Sequence, residues 1–99
     1  MILDLDHFKR INDTYGHDIG DQVLRKTAQM IKVPLRASDV ACRIGGEEFL
    51  VICRDTNLEN TCRVAERLRR YVEACGIDVG DATIRITVSI GVASKDGST

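Results

Sequence analysis

The sequence predicts an α+β domain in which helices pack on a mixed β-sheet, in the style of ferredoxin-like folds. Three observations predict it. Strand patterns alternate with helix patterns along the chain, a glycine pair joins two of the strands, and 99 residues suffice for one domain with one core. The hydrophobic share of 43% and the charged share of 29% are typical of a folded globular chain.

The first half of the chain has one strand pattern and two helix patterns. Residues 1–5 are mostly apolar and predict a short buried strand. Asp6 is expected to cap a helix over residues 7–14, and Gly16 to end that helix in a left-handed conformation. Asp18 is expected to cap a longer helix with one apolar face. That face comprises Ile19, Val23, Ala28, Ile31 and Leu35.

The second half has a hairpin pattern, a helix pattern and a final strand pattern. Residues 40–44 and 49–53 are apolar runs that flank Gly45-Gly46, which predicts a hairpin with a type I′ turn. Apolar residues spaced three or four apart then predict a third helix, which Gly76 ends. Residues 84–92 alternate between apolar and polar and predict one half-buried strand. The apolar stripe of the third helix is Leu58, Cys62, Ala65, Leu68, Val72 and Cys75.

Charge, hydropathy and cysteine spacing exclude several classes of protein. The net charge of −1 argues against binding to a nucleic-acid backbone. No apolar run approaches the roughly 20 residues that span a bilayer, and the start does not resemble a signal peptide, so we expect a cytoplasmic domain. No C-x-x-C pair occurs, so we expect reduced thiols packed as small hydrophobic residues rather than zinc ligands or disulfides. The cysteines are Cys42, Cys53, Cys62 and Cys75.

Acidic residues follow the first strand and the glycine pair. Asp4 ends a buried strand, where a carboxylate is costly unless it meets a cation or strong donors. Asp6 is either only a helix cap or a second acid on the side of Asp4. Pleating sends Glu47 and Glu48 to opposite faces, so at most one of them shares a site with Asp4. An acid from a strand end and one from a neighbouring hairpin suit Mg²⁺.

Polar residues also surround the starts of the first two helices. The amides of residues 7–9 lie where helix N-termini bind anions, which suits phosphate groups. Asn12 and Asp21 have the hydrogen-bonding groups needed to recognise a nucleotide base. Asn12, His17 and Asp21 are equally interpreted as ordinary polar residues at helix ends, and both interpretations remain open at this point.

Two motifs resemble a known family. Gly45-Gly46-Glu47-Glu48-Phe49 is the GGEEF variant of the signature that names the GGDEF domain. Residues 4–21 resemble that family's N-terminal metal and nucleotide segment, and residues 88–93 resemble its later strand. The resemblance covers nearly the whole chain. It implies a palm-type fold like that of nucleotidyl cyclases. It also implies the activity of a diguanylate cyclase, which condenses two GTP into cyclic di-GMP and releases pyrophosphate, in an active site that forms between two such domains.

The resemblance implies a two-metal site for Mg²⁺, with Mn²⁺ as an alternative. Asp4, the backbone carbonyl of Leu5 and Glu47 would be the ligands. Glu47 would also be the base for the attacking 3′-hydroxyl, and Glu48 is included in the catalytic group. The choice of Glu47 accords with the pleating argument, which leaves room for one of the two glutamates.

For the nucleotide, the resemblance implies that Asn12 and Asp21 bind guanine with His17 nearby. Lys9 and the adjacent amides would contact the phosphates and stabilise charge in the transition state, which makes Lys9 a catalytic residue as well. The implied substrate-binding residues are His7, Phe8, Lys9, Asn12, His17, Asp21, Gly45 and Gly46.

Arg36 and Asp39 form an R-x-x-D pair before the second strand. By themselves they indicate only an arginine that balances the helix dipole and a loop acid. The resemblance implies instead an inhibitory site for the product cyclic di-GMP. An arginine can donate a bidentate pair of hydrogen bonds to phosphate or guanine, and an aspartate can accept hydrogen bonds from the N–H groups of the guanine edge.

The resemblance also implies a domain longer than this chain. Members of the family usually begin earlier with a lead segment and continue past Thr99 into another helix and a strand. A sensory or receiver domain is expected outside the chain, and residues 94–99 are expected to form a polar loop. The alternative function is a catalytically inactive GGDEF-type module that binds GTP or cyclic di-GMP as a sensor.

Overall fold

The computed structural model describes residues 1–94 and contains six strands and three helices in that range. Residues 95–99, which hold most of the predicted C-terminal loop, lie outside the described residues. Within residues 1–94, no helix has the length and apolar content that crossing a membrane requires. In chain order the elements are β1 (Ile2–Leu5), α1 (Phe8–Tyr15), α2 (His17–Lys32), β2 (Val40–Arg43), β3 (Glu48–Ile52), α3 (Leu58–Cys75), β4 (Ile77–Val79), β5 (Ala82–Ile84) and β6 (Val88–Gly91).

The main sheet has four strands in the order β2-β3-β1-β6. Each of its neighbouring pairs is antiparallel. The first strand of the chain is therefore one of the two central strands, with the glycine hairpin on one side and the last described strand on the other. Strands β4 and β5 form a separate two-stranded ribbon. The predicted α+β fold is confirmed.

One face of the main sheet is buried and the other is open. Leu3 and Leu5 of β1 belong to the same buried cluster as Phe49 and Val51 of β3 and the apolar residues of the helices. Because side chains alternate along a strand, Asp4 lies on the opposite, open face. Ile2 on that face is 48% exposed. The fold thus presents the end of β1 to a ligand without opening the core.

Both predicted helix caps are wrong. Helix α1 begins after His7, which has a left-handed backbone (φ 59°) and no side-chain cap. The Asp6 carboxylate does not cap the helix and instead accepts hydrogen bonds from the hydroxyls of Thr87 and Ser89. The residue that precedes α2 is Gly16, and Asp18 lies inside the first turn. The Gly16 amide donates to the Asn12 carbonyl at 2.8 Å, so one residue joins the two helices. Gly16 has positive φ but an extended ψ (91°, 164°), not the predicted left-handed helical conformation.

The hairpin is confirmed, but its turn type is wrong. Four residues, Ile44 to Glu47, join β2 to β3, and the Ile44 amide donates to the Glu48 carbonyl at 3.0 Å. Neither glycine of the pair has positive φ, which a two-residue type I′ turn requires at both positions. The longer loop has room for ordinary backbone angles.

The single strand predicted over residues 84–92 is also wrong, although its alternation is correct. Ile84, Ile86 and Val88 are buried. The chain pairs first with β4 and then, from Val88, with β1, so a change of partner divides the run into β5 and β6. Strand β4 was not predicted from the sequence.

The cysteines are free thiols, as predicted, but of the four only Cys53 packs against the core. Cys42, Cys62 and Cys75 are exposed and Cys53 is half-buried. On α3 the buried position near Cys62 is held by Thr61, whose hydroxyl donates to the Asn57 carbonyl at 2.9 Å. That bond satisfies the buried hydroxyl, so the core accepts threonine there.

Candidate active site

The end of β1 lies beside the glycine hairpin. Asp4 is the register partner of Glu48 on β3 and of Ser89 on β6. Directly opposed residues of an antiparallel pair project to the same face, so Asp4 and Glu48 both belong to the open face. The Leu5 amide donates to the Glu47 carbonyl at 3.2 Å, which fixes the hairpin loop against the last residue of β1.

The two glutamates meet β1 differently. Glu48 is exposed and lies opposite Asp4, whereas Glu47 is half-buried, precedes β3 and contacts β1 through its main chain. Arg43 Nε donates to the carbonyls of Gly45 at 3.1 Å and Gly46 at 3.0 Å and so holds the loop in place. Both acids remain candidates for the site, and the register gives Glu48 a stronger position than sequence reasoning did.

The carboxylates at this end of β1 and β3 fit a magnesium ion bound together with a phosphate. Mg²⁺ is usually held by one or two carboxylates, with water and substrate phosphates as the other ligands. Asp4 and the glutamates supply carboxylates, and within residues 1–94 no hydrogen bond or ion pair engages the Asp4 side chain. In the same range no group of three or more His, Cys, Asp or Glu side chains forms a ready-made metal cage.

Helices α1 and α2 bring the predicted guanine-binding residues into one corner. A Cβ built on Gly20 would lie 1.8 Å from Asn12 Oδ1 and 3.3 Å from Phe8 Cζ. The Asn12 side chain therefore packs against the backbone of α2 at Gly20. The next residue of α2 is the exposed Asp21. Sequence reasoning missed Gly20, and the available signal was a glycine inside the first turns of a predicted helix, where it weakens the helix.

The remaining predicted nucleotide-binding residues surround the loop after β1. His7 is exposed in a left-handed conformation, and Phe8 is buried and anchors the start of α1. Lys9 and His17 are exposed, on the first turns of α1 and α2. No hydrogen bond or ion pair among the described residues joins Lys9 or His17 to Asp4. Their roles in nucleotide binding therefore stay predictions from the sequence.

Arg36 and Asp39 form a tight turn at the other end of β2. The Arg36 amide donates to Asp39 Oδ2 at 2.8 Å, and the Asp39 amide donates back to the Arg36 carbonyl at 3.0 Å. Asp39 Oδ1 is buried and has no hydrogen-bond partner within residues 1–94. Burial, followed by the negative charge of Asp39, raises the pKa of the Cys53 thiol. Strand β2 separates this turn from the glycine hairpin, so the two motifs lie at opposite ends of that strand.

The chain is an α+β domain in which a central strand of the sheet ends beside the acidic residues of a hairpin. Comparison with known sequences identifies the family of such domains to which it belongs. The family model described as "Diguanylate cyclase, GGDEF domain" matches residues 1–99. The chain is 48% identical over 99 residues to Response regulator PleD of Caulobacter vibrioides, covering 98% of this chain and 22% of that protein. It is 47% identical over 94 residues to Diguanylate cyclase A of Treponema denticola, covering 95% and 25%. The chain belongs to the GGDEF family and spans about a quarter of the length of these relatives.

Solved structures agree with this assignment. The GGDEF domain of DgcB from Caulobacter crescentus, in complex with c-di-GMP, matches with a TM-score of 0.80 and 36% identity, over 89% of this chain and 53% of that one. The active GGEEF domain of a diguanylate cyclase from Vibrio cholerae matches with a TM-score of 0.77 and 31% identity, over 88% and 55%.

Proposed function

We propose that this domain is a diguanylate cyclase that condenses two GTP into cyclic di-GMP and releases two pyrophosphates. The observation that supports the proposal is the register of β1 with β3, in which Asp4 lies opposite Glu48, while the Glu47 carbonyl beside it accepts from the Leu5 amide. Membership of the GGDEF family and the names of the relatives support it.

The metal ligands in this proposal are Asp4, the Leu5 carbonyl and Glu47. Bound there, Mg²⁺ or Mn²⁺ supplies neutralisation of phosphate charge and activation of a hydroxyl. Glu47 accepts the proton of the attacking 3′-hydroxyl, and Glu48 is the alternative base because it lies opposite Asp4. Lys9 contacts the phosphates and stabilises the charge that develops in the transition state.

Asn12 and Asp21 recognise guanine in the corner between α1 and α2. An asparagine amide both donates and accepts hydrogen bonds, and an aspartate accepts from the N–H groups of the guanine edge. The contact of Asn12 with Gly20 holds the amide at the corner before a ligand binds. His17 lies at the start of α2 near the base, and Gly45 and Gly46 let the hairpin backbone approach the nucleotide closely.

The reaction requires a second GGDEF domain. Each domain holds one GTP, and the two half-sites meet so that each 3′-hydroxyl attacks the α-phosphate of the other nucleotide. Positioning both reactants in this way removes much of the entropic barrier of a bimolecular step.

The turn at Arg36 and Asp39 binds the product and inhibits the enzyme. The buried, unpartnered Asp39 Oδ1 supports this role, because a polar atom without a hydrogen bond is costly unless a ligand supplies one. The arginine beside it provides a planar donor pair for phosphate or guanine. The DgcB domain in complex with c-di-GMP shows that a structural relative binds this ligand.

The test is to incubate the chain with GTP and Mg²⁺ and to separate the nucleotides by chromatography. We expect Glu47→Gln to lower cyclic di-GMP formation by at least about 100-fold, since general bases contribute 10²–10⁴ in rate. Glu59→Gln is the matched control, because in the described part of the chain Glu59 pairs only with the exposed Arg63 on α3, at 2.9 Å.

Glu48→Gln, assayed in parallel, tests the alternative base. Full activity in Glu47→Gln would remove Glu47 from both of its roles. A parent chain that binds cyclic di-GMP and forms none from GTP leaves two interpretations, a cyclase that needs residues past Thr99 and an inactive sensor module. The same assay on a chain extended past Thr99 decides between them, because product would identify the enzyme and its absence the sensor.

A further inference from the structure

Asp6 makes a dense set of contacts with the strand β6 and the residues just before it. Its carboxylate accepts hydrogen bonds from Thr87 Oγ1 at 2.8 Å and Ser89 Oγ at 2.6 Å, one on each oxygen. Its amide donates to the Thr87 carbonyl at 3.0 Å. These bonds span more than 80 positions of sequence, with separations of 81 and 83 for the two hydroxyls.

The contacts lie directly beside the proposed metal ligands. Asp6 follows Leu5, and Ser89 is the register partner of Asp4. On the other side of β1, the Leu5 amide bonds to the Glu47 carbonyl. The chain from Asp4 to Asp6 is thus fixed to the hairpin on one side and to β6 on the other.

Beyond Asp6 the backbone turns sharply. His7 has positive φ (59°), a conformation that residues with a Cβ adopt only when their surroundings enforce it. The three bonds of Asp6 fix the residue immediately before this turn. They therefore determine where β1 ends and how its last carbonyl is oriented.

We propose that Asp6, Thr87 and Ser89 form a clamp that positions the Asp4 carboxylate and the Leu5 carbonyl for the divalent ion. Asp6 is a positioning residue in this proposal and not a metal ligand, because a hydroxyl of Thr87 or Ser89 directs each of its oxygens toward β6 and the residues just before it. The inference rests on the proposed function, and it adds residues that the GGDEF signature does not contain. Hydrogen bonds that orient metal ligands typically change metal affinity or activity by about 10- to 100-fold.

Asn and Ala at position 6 distinguish a clamp from a ligand. Asp6→Asn keeps one oxygen to accept from Ser89, and the Thr87 hydroxyl is able to accept from the new amide nitrogen. In Asp6→Asn the hydrogen bonds to Thr87 and Ser89 are kept and the negative charge is lost. In Asp6→Ala both the side-chain hydrogen bonds and the charge are lost. A positioning role therefore predicts rescue by asparagine, whereas a ligand role predicts that both variants fail.

The experiment is a Mn²⁺ titration followed by electron paramagnetic resonance, on the whole chain in the presence of a non-hydrolysable GTP analogue. We expect Asp6→Ala and the double variant Thr87→Val/Ser89→Ala to weaken Mn²⁺ binding by about 10- to 100-fold. Asp6→Asn is expected within about threefold of the parent. Thr83→Val is the matched control, since its hydroxyl bonds to Asp78 Oδ1 at 2.8 Å in the β4–β5 ribbon.

Amide hydrogen exchange supplies the structural readout. In the double variant the Leu5 and Asp6 amides should exchange at least about tenfold faster while the amides of α3 keep their rates, which marks a local opening in a folded chain. If Asp6→Ala fails to fold, the double variant decides.

Two results would overturn the clamp: parental Mn²⁺ affinity in the double variant, or equal damage from Asp6→Asn and Asp6→Ala. Failure of the parent to form cyclic di-GMP would count against the proposed function instead. The Mn²⁺ and exchange results would still decide the role of Asp6.

Discussion

Which face of β1 a side chain occupies decides what that residue does. Leu3 and Leu5 are buried at 0% and 3% exposure, while Asp4 between them is exposed. A carboxylate on the buried face would lose its hydration without gaining a cation. On the open face it is exposed and keeps its hydration. The alternation of side chains along β1 thus puts its core residues on one face of the sheet and Asp4 on the other.

Asp21→Ala is expected to weaken GTP binding by about tenfold or more, because a hydrogen bond to a charged group contributes about 1.5–3 kcal/mol. Binding of ATP should change by less than about twofold, since adenine lacks the N–H edge that an aspartate recognises. Calorimetric titration of both nucleotides checks this, with Asp13→Ala, an exposed acid on α1, as the control. Equal losses for GTP and ATP would remove the guanine-reading role.

Arg36→Ala is expected to raise the cyclic di-GMP concentration that gives half-inhibition by about tenfold or more, from the loss of a charge-assisted contact. The turn itself should persist, because alanine supplies the same main-chain amide to Asp39. Progress curves with added product measure the effect. Arg25→Ala, an exposed arginine of α2, is the control. Inhibition at the parental concentration would leave Arg36 with only its structural interpretation.

At the scale of elements, helices α1 and α2 meet in the corner that holds Asn12 and Gly20, the nucleotide side of the proposed site. One residue, Gly16, joins the helices, so they pack closely enough for Asn12 to lie on the backbone of Gly20. Any residue with a Cβ at position 20 would displace that amide. The glycine is therefore required by the close contact of two helices and not by the conformation of its own backbone.

Gly20→Ala is expected to weaken GTP binding by about tenfold, because the new Cβ would lie 1.8 Å from Asn12 Oδ1 and displace the amide. The domain should remain folded, since the clashing atom is the end of a side chain and alanine favours a helix over glycine by about 1 kcal/mol. Nucleotide titration and thermal unfolding together check both parts. Gly91→Ala is the control, because a Cβ there meets nothing within 4 Å. Unchanged GTP affinity would mean that Asn12 does not contact the base.

At the scale of the whole molecule, helices of the described residues 1–94 cover one face of the sheet, and the proposed site lies at the end of β1, one of its two central strands. Asp4, Glu48 and Ser89 all project from that open face. A second domain is therefore able to approach the site without displacing any core residue. This geometry suits a reaction in which two nucleotide-loaded domains must meet.

The rate of cyclic di-GMP formation per mole of chain is expected to rise with protein concentration when dimers are scarce, because one chain supplies half of the reacting groups. Initial rates over a dilution series of about 100-fold, at saturating GTP and Mg²⁺, measure this. A rate per mole that stays constant down to concentrations at which sedimentation shows only monomers would contradict the two-domain mechanism.

Most elements and the family were predicted from the sequence, and the roles of the site residues stay predictions. Helical and strand periodicities are local properties, so α2, α3 and the hairpin were predicted from spacing alone. The GGEEF segment and residues 4–21 identified the family because they keep reactive side chains in a fixed order. Leu24 and Thr27, which complete the buried face of α2, were missed because they lie beside the predicted apolar stripe.

Only the tertiary structure decided which strands pair and what each acid contacts. The run over residues 84–92 changes partner from β4 to β1, and a periodicity contains no information about partners. Asp6 looked like a cap for the helix that follows it, yet its bonds go to hydroxyls more than 80 residues away. Register likewise set Glu48, rather than Glu47, opposite Asp4. A carboxylate takes whichever donors the packed chain brings within reach, and long-range pairing of strands brings donors from distant parts of the sequence.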